Sequence, residues 1–100
     1  MCTIDILKGP PVTKVYRARR ADAYFTFSFA PEDDYIAVYC IAHPPLGGRD
    51  PDPHKTHLLA SGRLCFVRGR EPHDQDRAED LAKQWAEYFI RYRATGIVES

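Results

Sequence analysis

Hydrophobic and polar positions alternate along the first half of the chain and shift to a helical spacing near its end. The sharpest alternation is Phe25, Phe27 and Phe29 against Thr26 and Ser28, which puts phenyl rings on one face of a strand and hydroxyls on the other. Stretches 12–19, 24–29 and 35–42 are rich in aromatic and β-branched residues, side chains that suit a pleated, half-buried surface. Their separators, 20–22 and 31–34, are short enough for hairpin loops, so an antiparallel meander is expected. The third strand carries Ile36, Val38 and Cys40 on one face and Ala37, Tyr39 and Ile41 on the other. Being apolar on both, it is expected to lie centrally or under a covering loop, and the pattern leaves its core face open.

Toward the end of the chain, Leu81, Trp85, Tyr88, Phe89 and Tyr92 recur at helical spacing, with Lys83, Glu87, Arg91 and Arg93 on other faces. Asp76 with Glu79 resembles a capping box, and Gly96 after Thr95 supplies a left-handed stop. The aromatic stripe reads as core and not as a cofactor site. The expected fold is therefore α+β, an antiparallel β-meander packed on one long C-terminal helix, with the Phe25/Phe27/Phe29 stripe facing that helix. Between meander and helix, residues 44–53 hold prolines and glycines that exclude a helix or interior strand. Such long ordered loops are often functional.

Length and charge narrow the picture. With 100 residues there is one core, and residues 1–100 read as a single domain. A composition 44% hydrophobic and 12% aromatic can fill that core and is unlike a disordered chain. Fourteen basic residues are balanced by fourteen acidic ones, grouped only at Arg17, Arg19 and Arg20, so no nucleic-acid partner is expected. The N-terminus lacks the pattern of a signal peptide, and no apolar run approaches the ~20 residues of a membrane span. The chain is expected to be soluble, without a membrane partner, and cytoplasmic. Three widely spaced cysteines, Cys2, Cys40 and Cys65, suit a reducing compartment better than a disulfide framework.

Candidate chemistry lies in residues 54–67. Gly62 permits a tight turn, and the residues after it run extended. If Leu64 and Phe66 point inward, alternation aims Cys65 the other way, beside a loop that contains His54 and His57. A thiol becomes a nucleophile as thiolate, and nearby cations such as Arg63 or His57 favour that form. Spacing alone leaves two readings of Cys65 open, a displayed nucleophile or one more small apolar residue. Cys40, inside a hydrophobic strand, reads as structural.

The same segment resembles the ubiquitin-conjugating enzymes, and in particular their bacterial relatives. Pro44-Pro45 looks like the family's proline pair, and Gly62-Arg63-Leu64-Cys65 is similar to its Gly-x-hydrophobic-Cys turn. His57 falls eight positions before Cys65, where the family places an Asn or a second His. Trp85-Ala86-Glu87-Tyr88 and Tyr92-Arg93-Ala94-Thr95-Gly96 are similar to the Trp- and Tyr-rich helix end of the bacterial relatives. The resemblance implies that Cys65 carries a ubiquitin-like protein as a thioester received from an activating enzyme and passes it to an amine of a target protein. It implies His57 as oxyanion donor or loop organiser, with His54, His73 and Arg63 as auxiliary candidates, and neither a cofactor nor a metal. The chain departs from the family in reading without an N-terminal helix, in having Lys55 two positions before His57, and in containing no asparagine.

Two further readings use the same residues. A non-catalytic binding or adaptor module on this fold would leave Cys65 incidental and recruit a partner through the long loop or an open sheet edge. A zinc site would draw on His54, His57, Cys65 and His73, whose spacing matches no strong zinc signature. A cofactor-independent hydrolase is the residual class, and no Gly-x-Ser-x-Gly or comparable nucleophile elbow is present for it.

Overall fold

The computed structural model describes residues 11–19, 22–64 and 71–98. Strands β1 (Val12–Arg17), β2 (Tyr24–Pro31) and β3 (Ile36–Ala42) form an antiparallel sheet in the order β1-β2-β3. A four-residue helix, α1 (Pro53–Thr56), and the long helix α2 (Gln75–Thr95) follow. The α+β meander with its C-terminal helix is as expected from the sequence. Whether a helix precedes β1 falls on residues 1–10, which lie outside the described residues.

Phe25, Phe27 and Phe29 are 0–2% exposed and point at α2. Phe25 meets Trp85 and Phe89 edge-on at 5.8 and 5.5 Å, and Phe27 meets Trp85 at 6.0 Å, the T-shaped geometry that aromatic quadrupoles favour. Opposite these rings the helix presents Ala78, Ala82 and Ala86, each no more than 1% exposed. Small residues at a four-residue interval lie on one helix face, and these alanines share one buried cluster with the phenyl rings. Of the predicted stripe, Trp85, Tyr88, Phe89 and Tyr92 are buried and Leu81 is half-buried.

The edges of the elements show where other bonds compete with the ladder. β1 stops at Arg17, short of residue 19, because the Arg19 N–H donates to the Glu87 carboxylate of α2 and Ala18 N–H to Ala23 C=O. β2 continues to Pro31, where the missing proline N–H is harmless because the hairpin closes one residue later, from Glu32 N–H to Tyr35 C=O. The expected capping box at Asp76 and Glu79 is not formed. Asp74, in extended conformation (φ −138°, ψ 166°), is the N-cap, and its side chain accepts the Arg77 N–H at 2.7 Å. Asp76 lies inside the first turn, while Glu79 is held by Lys14 and Gln75. The C-terminal stop is Gly96 as expected, at φ 74°, with its N–H donated to Tyr92 C=O.

β3 is not central in the ladder but lies under a covering loop. Its outer edge gives the Cys40 N–H to Gly62 C=O at 2.7 Å and accepts the Leu64 N–H at Val38 C=O at 2.9 Å. The Ile36 N–H goes to Pro72 C=O. Register fixes the core face that the pattern left open: Val38 pairs with Phe29 and Cys40 with Phe27, on the helix side. Ile41 is the extra residue of a bulge, since Phe27 and Thr26 pair with Cys40 and Ala42, and it is 61% exposed. Among the described residues no helix is long and apolar enough to cross a membrane.

Candidate functional site

The loop from Pro44 to His57 is held against α2 by donors on the helix. Tyr92 Oη donates to Asp50 C=O at 2.8 Å, Tyr88 Oη to Lys55 C=O, and Trp85 Nε1 to Thr56 C=O at 2.9 Å. In the other direction, Arg49 Nε and Nη2 donate to the carbonyls of Arg93 and Ala94 at 3.1 Å each, near the C-terminal end of α2, where free carbonyls and the helix dipole favour a cation. An irregular segment must place its backbone polar groups somewhere, and here the polar tips of the aromatic stripe accept that task. The stripe is core, as expected, and it also anchors the loop. The sequence signal was its Trp and Tyr content, because those residues pair an apolar body with a donor.

Within this frame, Asp52 caps α1 through its side chain, accepting His54 N–H at 2.9 Å, and Pro53 takes the first helical position. His57 closes α1 in left-handed conformation (φ 57°), donating its N–H to Pro53 C=O. It is the one described non-glycine residue with positive φ, uncommon enough to mark a position set by its surroundings. Its half-buried ring lies 5.2 Å from that of Tyr88.

The chain then makes a narrow turn. Leu58 bridges Leu64, Leu59 N–H donates to Arg63 C=O, and Gly62 N–H to Leu59 C=O. Gly62 has φ 90°, and a Cβ there would lie 3.1 Å from the Cys40 carbonyl oxygen, so both backbone twist and close approach require glycine. Leu64 points inward as expected, 2% exposed. Cys65 and Phe66, on which the displayed-thiol reading depends, lie outside the described residues.

The auxiliary candidates are dispersed. His54 is almost fully exposed, with Nδ1 3.2 Å from the Asp52 carboxylate. The His54 backbone N–H, and then its ring, hold the Asp52 carboxyl below its usual range. His73 Nδ1 lies 2.6 Å from Asp34 C=O, which ties the approach to α2 to the β2–β3 hairpin. Arg63 Nη2 donates to Tyr35 Oη at 2.9 Å, with the guanidinium 5.4 Å from the Tyr35 ring centre. Cys40 is structural, as expected: burial pushes its thiol up to about 12, and it donates to Ala42 C=O at 3.3 Å. Among the described residues no three His, Cys, Asp or Glu side chains converge as metal ligands.

Comparison with known proteins gives no match, whether to a family model, a curated protein or a solved structure.

Proposed function

We propose that the chain carries a ubiquitin-like protein as a thioester on Cys65 and transfers it to an amine of a target protein. The observation that carries this reading is the turn leading to Cys65. Gly62, Arg63 and Leu64 are docked on the edge of β3 by two backbone hydrogen bonds and by burial of Leu64, so the residue before the cysteine has a fixed place. Eight positions earlier, His57 is held in left-handed conformation on a loop whose carbonyls are bound by α2. A preorganised donor is what a tetrahedral oxyanion requires, because it pays no reorganisation cost when charge develops.

The chemistry balances as two acyl transfers. The Cys65 thiolate attacks the carbonyl carbon of a thioester on the activating enzyme, forms a new C–S bond and expels that enzyme's thiolate. A target amine then attacks the same carbon. The oxyanion collapses, the Cys65 thiolate leaves, and the amine nitrogen loses its proton as the amide forms. His57 would stabilise the oxyanion or keep the loop in register.

A non-catalytic adaptor is the alternative, favoured by the dispersal of His54, His73 and Arg63 onto Asp52, Asp34 and Tyr35. Charging with an activating enzyme and a ubiquitin-like protein separates the two. The expected product is a thiol-sensitive adduct in the wild type, a thiol-resistant oxyester in Cys65→Ser and nothing in Cys65→Ala. Equal loading of wild type and Cys65→Ala would end the thioester reading. Maleimide labelling of the native protein provides a partner-free companion, with Cys65 modified quickly and Cys40 only on unfolding.

A further inference from the structure

We propose that the groove between β1 and α2 binds an extended acidic segment of a partner protein. Two cavities of about 410 and 300 Å³ lie along this groove and share Tyr16 and Lys83 in their walls. The larger reaches Arg19, Gln84 and Arg91, and the smaller opens over Phe27, Phe29 and Ala82. The groove exists because the positions of β1 that face the helix include Lys14 and Tyr16, opposite Phe27 and Phe25. Their polar ends reach across to Glu79 and Glu87 at 2.8 and 2.6 Å and leave the space between strand and helix unfilled.

Charge selects the occupant. The walls hold five cations, Lys14, Arg17, Arg19, Lys83 and Arg91, against two carboxylates, Glu79 and Glu87. With Asp22, which pairs with Arg17 at 3.2 Å, counted against them, two net positive charges remain along one groove of a chain whose formal charge is zero. Both carboxylates are already engaged, Glu79 by Lys14 and Gln75, and Glu87 by Tyr16 Oη and the Arg19 N–H. They brace β1 on α2, while the side chains of Arg19 and Lys83 are exposed along the groove. Length selects an extended chain over a small anion: from Glu79 to Arg91 the helix rises roughly 18 Å, the reach of about five to six extended residues. Val15, in the wall of the smaller cavity and 65% exposed, offers an apolar contact for an aliphatic side chain between the acidic ones.

The test is titration of the ¹⁵N-labelled full chain with a blocked hexapeptide of alternating glutamate and leucine. The expected result is saturable shifts confined to residues 14–19 and 79–91, an affinity that falls steeply with salt, and at least about a tenfold loss in Lys83→Glu and in Arg19→Glu. Both side chains are exposed, and an unchanged amide spectrum outside the groove checks that the variants fold. A peptide with lysine in place of glutamate should not bind. The proposal is overturned if that control binds equally, if pyrophosphate matches the acidic peptide, if the charge reversals leave affinity unchanged, or if dilution alone moves the groove signals through self-association.

Discussion

Gly62 and Gly48 offer a controlled comparison at the scale of single residues. Both have φ 90°, but a Cβ on Gly48 meets nothing within 4 Å, whereas one on Gly62 meets the Cys40 carbonyl oxygen at 3.1 Å. The backbone cost of an L side chain at positive φ, about 1–2 kcal/mol, is therefore common to Gly48→Ala and Gly62→Ala. Only Gly62→Ala also pushes the turn off β3, straining the Cys40 N–H to Gly62 C=O bond. Urea unfolding should show Gly62→Ala less stable than Gly48→Ala by about 1 kcal/mol, the net worth of a typical hydrogen bond. Equal losses would mean that the turn does not need its close seat on β3. The sequence marked Gly62 as a turn, but the backbone it rests on is set by a pairing across the fold, which local pattern does not encode.

Among the elements, α2 combines two tasks that its sequence shows unequally. The aromatic stripe and the Gly96 stop were legible because period and chirality act locally. The start was misread because Asp76 and Glu79 stand at capping-box spacing, yet the extended backbone falls at Asp74, and tertiary contact with Lys14 claims Glu79. The alanine row was missed because small residues carry little weight in a hydrophobic pattern, though their size sets how closely helix and sheet approach. The loop clamp can be tested apart from the core. Trp85→Phe keeps an aromatic ring against Phe25 and Phe27 but leaves the Thr56 carbonyl without the Trp85 donor, at a cost of about 1–3 kcal/mol for a buried polar group left unsatisfied. Hydrogen exchange should accelerate at the amides of residues 55–57 while those of β2 stay protected. Uniform acceleration would show that the indole N–H serves general stability and not the loop.

For the whole molecule, pH should act from both sides through groups of opposite kind. Asp50, chiefly through the Lys55 hydrogen bond, Asp52, chiefly through the His54 N–H, and Glu79, chiefly through Lys14, all have carboxyls held below their usual range. A depressed folded pKa gives stability that is present above the unfolded value and lost as pH falls through the folded one. These groups are exposed enough for solvent to screen them, so the acid decline should be shallow and should shrink further in high salt. Cys40 works in the opposite direction. Its folded thiol is raised from the ordinary 9.0 to about 12 by burial, so its contribution is full below the unfolded value and disappears as pH rises through the folded one. Between those limits the unfolded chain ionises this thiol while the folded chain keeps it protonated. Thermal unfolding of wild type and Cys40→Ala from pH 7 to pH 11 isolates the effect, because the other alkaline groups are common to both. The stability difference between the two should be constant below pH 9.0 and should then change in the variant's favour. A difference that stays flat across the range would show that the Cys40 thiol reaches solvent in the folded protein, and the packing of β3 against α2 would need revision.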